Sequence, residues 1–269
     1  MKNYKNFIFD LYGTLIDIRT DENNESLWEE FASFLNSEIG TSYSGKNVRT
    51  IYERECESLL AEPTDFTARE IDIMPVFVEI IKAGEVDKIK NLARQCDTSK
   101  ISDYASKAKF GPHTIDDNLK CAYLAGEKFR KLSTSLLQLY PNTLSVLKAL
   151  KVANKKIYLL SNAQRVFTYQ ELEETGILPY FDDIFISSDE GCKKPDTKFF
   201  EALFNKQSLI KEESIMVGND STSDIKGARD FGLDALYVRT AISPENDPRP
   251  DCAYFYEDGD IGHVMELLD

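Results

Sequence analysis

Four apolar segments of this sequence lead into polar side chains that could take part in catalysis. The segments are "NFIF" (6–9), "KIYLLS" (156–161), "DIFISS" (183–188) and "SIMVG" (214–218). The side chains at or after their ends are, in chain order, Asp10, the pair Ser161 and Asn162, the lysines Lys193 and Lys194 in "EGCKKPD", and the carboxylates Asp220 and Asp224 in "GNDSTSD". If the segments are neighbouring parallel strands, these side chains meet at one edge of the sheet.

These residue types indicate what the edge could do chemically. A carboxylate at Asp10 can be a helix cap, a metal ligand or a nucleophile. Ser161 can donate its hydroxyl to a phosphoryl oxygen, and a lysine supplies a compact positive charge. Asp220 and Asp224 could complement the dipole of the helix that follows, or bind Mg²⁺ together with Asp10. Carboxylates this close would repel one another without a cation, which favours metal binding.

The segments belong to an alternating pattern that predicts a parallel sheet. From Tyr140 onward, short β-rich runs alternate with amphipathic segments, as in successive βαβ units. Besides the runs already given, "DALYVR" (234–239) is a candidate strand and "CAYFYE" (252–257) is a weaker one. The pattern predicts an α/β fold with a doubly wound, Rossmann-like parallel sheet.

The intervening section, 19–139, has helical periodicity and no comparable strand. Apolar residues recur every three or four positions in four stretches. The stripes comprise Leu27, Trp28, Phe31, Phe34 and Leu35; Ile51 and Leu59, with Glu55 between them; Ile73, Phe77, Ile80 and Ile81; and Leu119, Tyr123 and Leu124. We therefore expect a core domain formed by residues 1–18 and 140–269, interrupted by an α-helical cap domain formed by residues 19–139.

Composition excludes some classes of partner. The formal net charge of -14 disfavours nucleic-acid binding, which depends on fields of lysine and arginine. No apolar run approaches the roughly 18 residues of a membrane span, and a candidate strand begins almost at the N-terminus, so we expect neither a membrane anchor nor a signal peptide. The five cysteines form no CxxC pair, which predicts reduced thiols and a cytoplasmic location.

The order of the four motifs resembles the haloacid dehalogenase-like hydrolase superfamily across the whole α/β part. "DLYGT" looks like its first motif, Ser161 its second, the lysine of "KKPD" its third and "GNDSTSD" its acidic fourth. The resemblance implies a covalent mechanism in which Asp10 is the nucleophile and water hydrolyses the aspartyl intermediate. It assigns Tyr12, Thr14, Ser161, Asn162 and Lys194 to the catalytic site. The metal site would comprise Asp10, Tyr12, Asp220 and Asp224, with Mg²⁺ as the cofactor.

Two assignments within these motifs have rivals. Lys193 competes with Lys194, but the lysine of the family usually precedes the proline of the motif, which favours Lys194. The family spaces its acidic pair four or five residues apart; a spacing of four selects Asp220 with Asp224, whereas a spacing of five would place Asn219 first.

Tyr12 is the main departure from the phosphatases of the family. Most of them carry a second aspartate there, which protonates the leaving group, whereas the haloacid dehalogenases resemble this chain with DxYGT. Tyrosine, with an unperturbed pKa of about 10, is a poor general acid at neutral pH. A substitute acid could come from the helical insert or from Asp17, although a hinge role for Asp17 is commoner.

The acidic fourth motif decides between the alternatives. The dehalogenases do not depend on Mg²⁺, and their fourth motif is poorer in acid, so we expect a Mg²⁺-dependent phosphatase acting on a small phosphorylated metabolite. The alternatives are a 2-haloacid dehalogenase with the same Asp10 nucleophile and a non-catalytic binding module on the same fold.

Overall fold

A six-stranded parallel sheet lies at the centre of the fold. The computed structural model describes residues 2–109 and 111–268. The strands are β1 (Asn6–Phe9), β2 (Ile16–Thr20), β3 (Thr134–Leu139), β4 (Lys156–Ser161), β5 (Asp183–Ile186), β6 (Ser214–Gly218), β7 (Asp234–Val238) and β8 (Tyr254–Tyr256). The sheet order is β5-β4-β1-β6-β7-β8, with parallel pairing throughout. Since β1 is central and the order reverses beside it, the predicted α/β fold class is confirmed.

Helices cover both faces of this sheet and fill the long section between β2 and β3. They are α1 (Glu25–Ile39), α2 (Gly45–Ala61), α3 (Met74–Ile81), α4 (Val86–Ala93), α5 (Thr98–Lys107), α6 (Asp117–Ser133), α7 (Thr143–Val152), α8 (Arg165–Glu174), α9 (Ser187–Glu190), α10 (Thr197–Gln207) and α11 (Gly227–Phe231). A π-helix, Ser221–Lys226, precedes α11, and 3₁₀ segments lie at Leu178–Tyr180, Lys211–Glu213 and Ile261–Leu268. None of the helices in the described ranges is both long and apolar enough to cross a bilayer.

Alternation along β1 explains why both faces of the sheet must be covered. Successive side chains of a strand point to opposite faces. Phe7 and Phe9 therefore join an apolar cluster with residues of α7 and α8, whereas Ile8 joins a cluster with residues of α10 and α11. A strand that is buried on both sides needs a continuous apolar run, which is the pattern that "NFIF" shows.

The six helices α1–α6 share a third apolar cluster. It contains the predicted stripe residues Leu27, Trp28, Phe31 and Leu35, and it extends to Val166 and Phe167 of α8. Helix α1 begins where the Asn24 side chain accepts the N–H of Ser26 and ends at Gly40 in the left-handed conformation, so both of its ends are capped. The helical section thus has a core of its own and packs on the sheet region through α8.

A two-stranded antiparallel ribbon joins the helical section to the sheet. β2 pairs with β3, with Ile16 opposite Leu139 and Ile18 opposite Leu137. The expectation of no strand between residues 19 and 139 was wrong for β3 and for the last residues of β2. The physical reason is that "IDIRT" and "TSLLQL" mix polar and apolar residues over a half-exposed ribbon, so neither has the continuous apolar run of a central strand.

Candidate active site

Lys194 joins two of the predicted carboxylates at the carboxyl edge of the sheet. Its Nζ lies 2.7 Å from Oδ1 of Asp10 and 2.7 Å from Oδ1 of Asp224. Asp10 follows β1, and Asp224 lies in the π-helix that follows β6, the neighbour of β1 in the sheet. Lys194 is only 2% exposed and Asp10 7%, so the three charges meet in a nearly dry environment.

The charges in this cluster do not balance. Burial acts to lower the pKa of Lys194, but the charges of Asp10 and Asp224 raise it, so the lysine stays an ammonium ion. Burial, reinforced by the charge of Asp10, raises the pKa of the Asp224 carboxyl despite the opposing effect of Lys194. When Asp224 is ionised, two carboxylates share one ammonium. A proton, which the raised pKa of Asp224 favours, or a bound cation would relieve the excess of negative charge.

The turn after Asp10 brings Thr14 and Asn219 to the nucleophile position. Gly13 has φ 89°, and a β-carbon on it would meet the side-chain amide nitrogen of Asn219 at 2.3 Å, so glycine is required there. Thr14 Oγ1 donates towards Oδ1 of Asn219 at 3.2 Å and towards Oδ2 of Asp10 at 3.4 Å. The structure thus places Thr14 in the site and adds Asn219. In the sequence, Asn219 is considered only as the first position of the fourth motif if its pair is spaced five residues apart.

Ser161 and Asn162 lie at the end of β4 and have different surroundings. The Ser161 Oγ is fully buried and has no hydrogen-bond partner within the described ranges. The Asn162 side chain accepts the Lys194 N–H at 2.8 Å and donates to the Lys194 carbonyl at 3.0 Å. Asn162 therefore fixes the lysine loop, whereas the unpaired Ser161 hydroxyl can serve a ligand.

Lys193 and Lys194 differ sharply in environment. The Lys193 side chain is 40% exposed, and its Nζ lies 3.7 Å from Glu70 Oε2. Lys194 is buried between Asp10 and Asp224. The geometry therefore assigns the site lysine to Lys194.

Asp220 and Asp224 also have different roles. Oδ1 of Asp220 accepts the N–H groups of Thr222 and Ser223, so Asp220 caps the helix that it opens. Oδ2 of Asp224 accepts the N–H groups of Asn219 and Asp220. Asp224 faces Lys194 and Asp10, whereas the carboxylate of Asp220 is occupied by its own helix.

The donor set suits a hard cation that takes few protein ligands. The part of the chain that the structure describes holds no group of three or more histidine, cysteine, aspartate or glutamate residues placed to bind a metal. Asp10 Oδ2, however, receives the long bond from the Thr14 hydroxyl, and the amide oxygen of Asn219 contacts the same hydroxyl. Two oxygen ligands next to excess negative charge fit Mg²⁺, which keeps several waters when bound.

The Tyr12 phenol points away from this cluster. Its hydroxyl donates to Oε2 of Glu171 and lies 3.1 Å from Oγ1 of Thr168, both in α8. Because the phenol oxygen is bonded to Glu171, the main-chain carbonyl is the atom of Tyr12 that could still bind a metal. Burial raises the pKa of the Tyr12 phenol far above its ordinary value, and the charge of Glu171 adds to this effect. The phenol is therefore even less suited to act as a general acid than the sequence indicated.

A segment of the helical section, residues 64–73, lies against the loop that carries Lys194. Thr67 donates its N–H at 2.7 Å and its hydroxyl at 3.0 Å to Oδ2 of Asp196. Ala68 O accepts the N–H of Lys193, and the N–H of Glu70 donates to Gly191 O. We call residues 64–73 the strap; sequence reasoning missed it because its polar, irregular residues carry no periodic signal.

Comparisons with known proteins agree with this architecture. A family model described as haloacid dehalogenase-like hydrolase matches residues 4–232. The glyceraldehyde 3-phosphate phosphatase of Methanocaldococcus jannaschii is 30% identical over 141 residues, which are 52% of this chain and 60% of that protein. The match thus spans less than two thirds of that relative.

Solved structures show the same fold over nearly the whole chain. The Bacillus subtilis hydrolase YfnB, bound to magnesium, has a TM-score of 0.51 at 19% identity and covers 99% of both chains. A defluorinating L-2-haloacid dehalogenase has a TM-score of 0.53 at 17% identity, covering 99% of this chain and 95% of its own. The family match over residues 4–232, on a sheet that brings Asp10, Lys194 and Asp224 together, shows that this chain belongs to the haloacid dehalogenase-like hydrolases.

Proposed function

We propose that the protein is a Mg²⁺-dependent phosphatase that acts on a small phosphorylated metabolite. The observation that carries this proposal is the buried Asp10–Lys194–Asp224 cluster, which has one ammonium for two carboxylates. Such a site favours a bound cation, which helps to neutralise a phosphoryl group, whereas displacement of a halide from carbon gains nothing obvious from one. The M. jannaschii relative is a glyceraldehyde 3-phosphate phosphatase, which supports a phosphoester substrate, and the magnesium bound to YfnB supports the cofactor.

The residues would share the reaction as follows. The Asp10 carboxylate attacks phosphorus and displaces the leaving group as an alkoxide or phenoxide, which takes its proton from water. Water then hydrolyses the aspartyl-phosphate, which releases inorganic phosphate and restores Asp10. Lys194 orients Asp10 and offsets charge on the phosphoryl oxygens, and the free Ser161 hydroxyl donates to one of them. Asp10, Asn219 and the Tyr12 carbonyl would hold Mg²⁺, which would neutralise negative charge on the phosphoryl group.

The helical section would act as a cap over this site. We propose that residues 19–139 form the cap domain and that residues 1–18 and 140–269 form the core, with β2 and β3 as the connection. The strap contacts the Lys194 loop directly, and Asp10 is 7% exposed, so this arrangement would exclude water from the reacting group. The five free cysteines and the formal net charge of -14 support a cytoplasmic enzyme with a small-molecule partner.

Assays on a panel of phosphorylated metabolites, with and without Mg²⁺, test the proposal. We expect Mg²⁺-dependent release of inorganic phosphate from at least one of them. A second candidate function is that of a 2-haloacid dehalogenase. It is favoured by Tyr12, because the first motif then matches the DxYGT of the dehalogenases. Chloride release from 2-chloropropionate that persists in EDTA, with no phosphate release from any ester, would establish the dehalogenase instead.

Mg²⁺ is expected to raise the thermal midpoint of the wild-type protein, because a ligand that binds the native state stabilises it. Asn219→Ala should abolish that increase. Asp220→Ala should keep the increase but lower the midpoint of the metal-free protein, since losing a helix cap costs about 1 kcal/mol. Differential scanning calorimetry with and without millimolar Mg²⁺ measures both effects. The ligand assignment is wrong if Asp220→Ala, and not Asn219→Ala, loses the response.

Hydrolysis is expected to depend steeply on the leaving group. Tyr12 has its hydroxyl committed to Glu171, so an alkoxide must depart without a proton from this residue. Aryl and acyl phosphates should therefore be hydrolysed on the order of 10²-fold or more faster than alkyl esters. The measurement is kcat for a series of esters of rising leaving-group pKa. Equal rates, with chemistry shown to limit turnover, would mean that another residue already donates the proton.

A further inference from the structure

Tyr12 is part of a buried polar cluster that joins three separate elements. Its hydroxyl donates to Oε2 of Glu171 in α8. Oε1 of the same carboxylate accepts the Nε–H of Arg130, in α6, at 2.6 Å. Glu171 is 4% exposed, so both of its oxygens are bonded away from solvent. The cluster links the turn after Asp10, the helix after Ser161 and the last helix of the helical section.

Ring contacts reinforce these hydrogen bonds. The guanidinium carbon of Arg130 lies 5.6 Å from the centre of the Tyr12 ring and 5.1 Å from that of Phe167. A guanidinium over an aromatic face is held by the ring quadrupole, and the attraction is stronger when the group is desolvated. Arg130 therefore touches Tyr12 directly as well as through Glu171, which leaves the phenol ring little freedom to move.

The charges within the cluster are matched. Glu171 carries one negative charge and Arg130 one positive charge, and both the guanidinium and the neutral phenol donate to the carboxylate. A buried pair of this kind is sensitive to the loss of either partner, because the remaining charge has no solvent to stabilise it. The cluster is thus suited to hold a fixed geometry and not to exchange protons with a substrate.

We infer that Tyr12 is a positioning residue: with Glu171 and Arg130 it forms a clamp that holds the nucleophile turn, residues 11–15, against α8 and α6. The clamp acts on the turn through the chain itself, because Tyr12 lies between Asp10 and Gly13. Within this turn Leu11 O accepts the N–H groups of Leu15 at 2.8 Å and Ile16 at 3.0 Å. The catalytic part of the inference rests on the proposed role of Asp10 as the nucleophile.

Kinetics separate this role from proton donation. Tyr12→Phe and Glu171→Gln should each lower kcat roughly tenfold, by the same factor for an aryl and an alkyl phosphate, with KM little changed. The kcat of the double variant should be no lower than that of the less active single variant, because both changes open the same clamp. A proton donor would instead show a loss confined to the alkyl ester. Such a selective loss, or additive losses, would overturn the inference.

Tyr4→Phe is the matched control for a structural effect. Tyr4 is fully buried, and its hydroxyl donates to Oδ2 of Asp234 at 2.6 Å, but it lies at the opposite end of β1 from Asp10. We expect Tyr4→Phe to lower the thermal midpoint without changing kcat. A similar loss of kcat in Tyr4→Phe would show that the effect of Tyr12→Phe is one of general stability, and the inference would fail.

Amide hydrogen exchange tests the clamp without using activity. In Tyr12→Phe, Glu171→Gln and Arg130→Gln, the amides of Leu15 and Ile16 should exchange at least about tenfold faster, since the turn opens locally. In Tyr4→Phe they should exchange as in the wild type. Unchanged exchange in the three clamp variants would overturn the inference even if the protein is an active phosphatase. Faster exchange in a protein with no phosphatase activity would retain the clamp and reject the proposed function.

Discussion

Asp10→Asn is expected to abolish turnover while leaving the fold intact. Asparagine keeps the size of the side chain but cannot form the acyl-phosphate ester, so kcat should fall by at least about 10³-fold. Lys194 retains its 2.7 Å contact with Asp224 in this variant, so no buried charge is left without a partner. The thermal midpoint should therefore change little. Phosphate release measured on the best substrate of the wild type gives the loss.

The chemical basis of that loss can be checked separately. Wild-type protein quenched during turnover should carry one phosphoryl group on Asp10, detected as a mass increase on the peptide that contains it, and Asp10→Asn should carry none. Deamidation of the new asparagine would restore the nucleophile, so the intact mass of the variant must be confirmed. A variant free of deamidation that retains a tenth of the wild-type rate would be incompatible with the covalent mechanism.

Lys194→Met is expected to cost both activity and stability. Methionine fills much of the same space, but Asp10 and Asp224 then face each other without the ammonium that separates them. Removing one partner of a buried ion pair costs about 3–5 kcal/mol, which corresponds to a midpoint roughly 10 °C lower for a chain of this size. Turnover should fall by on the order of 10³-fold, because charge on the phosphoryl oxygens is no longer offset.

The stability loss should depend on pH in a defined direction. Burial already raises the pKa of Asp224, and loss of the Lys194 charge would raise it further above its unfolded value. A carboxyl whose folded pKa is raised destabilises the fold fully at pH values above that pKa, and the penalty shrinks as the pH falls from the folded towards the unfolded pKa. The midpoint of Lys194→Met should therefore approach that of the wild type as the pH falls from about 7 towards about 4. The scans are made in EDTA so that no cation replaces the ammonium.

Lys193→Met is the matched control for this experiment. Lys193 precedes Lys194 in the chain, but its side chain is 40% exposed and pairs with Glu70, away from Asp10 and Asp224. Its replacement should leave kcat and the pH dependence of the midpoint close to those of the wild type. Equal losses in the two variants, or a midpoint difference for Lys194→Met that does not change with pH, would contradict the assignment of Lys194 to the buried cluster.

The sequence by itself determined the sheet and the edge at which the polar side chains meet. The runs 156–161 and 214–218 coincide with β4 and β6, because strands buried on both faces need continuous apolar residues, a signal that is local in the chain. The apolar stripes in α1 and α3 were equally local. The half-exposed ribbon β2–β3 lacked such a signal and became visible only once its two strands were paired across the inserted helices.

Tertiary structure alone decided which polar residues work together. Lys193 and Lys194 are neighbours with the same side chain; the following proline favoured Lys194, and burial between Asp10 and Asp224 gives the physical reason. The clamp on Tyr12 depends on Arg130 and Glu171, which are more than a hundred residues from Tyr12 in the chain. Charge pairing at such separations leaves no periodic pattern in a single sequence, because it arises from the packing of α6 and α8 around the turn and not from local conformational preference.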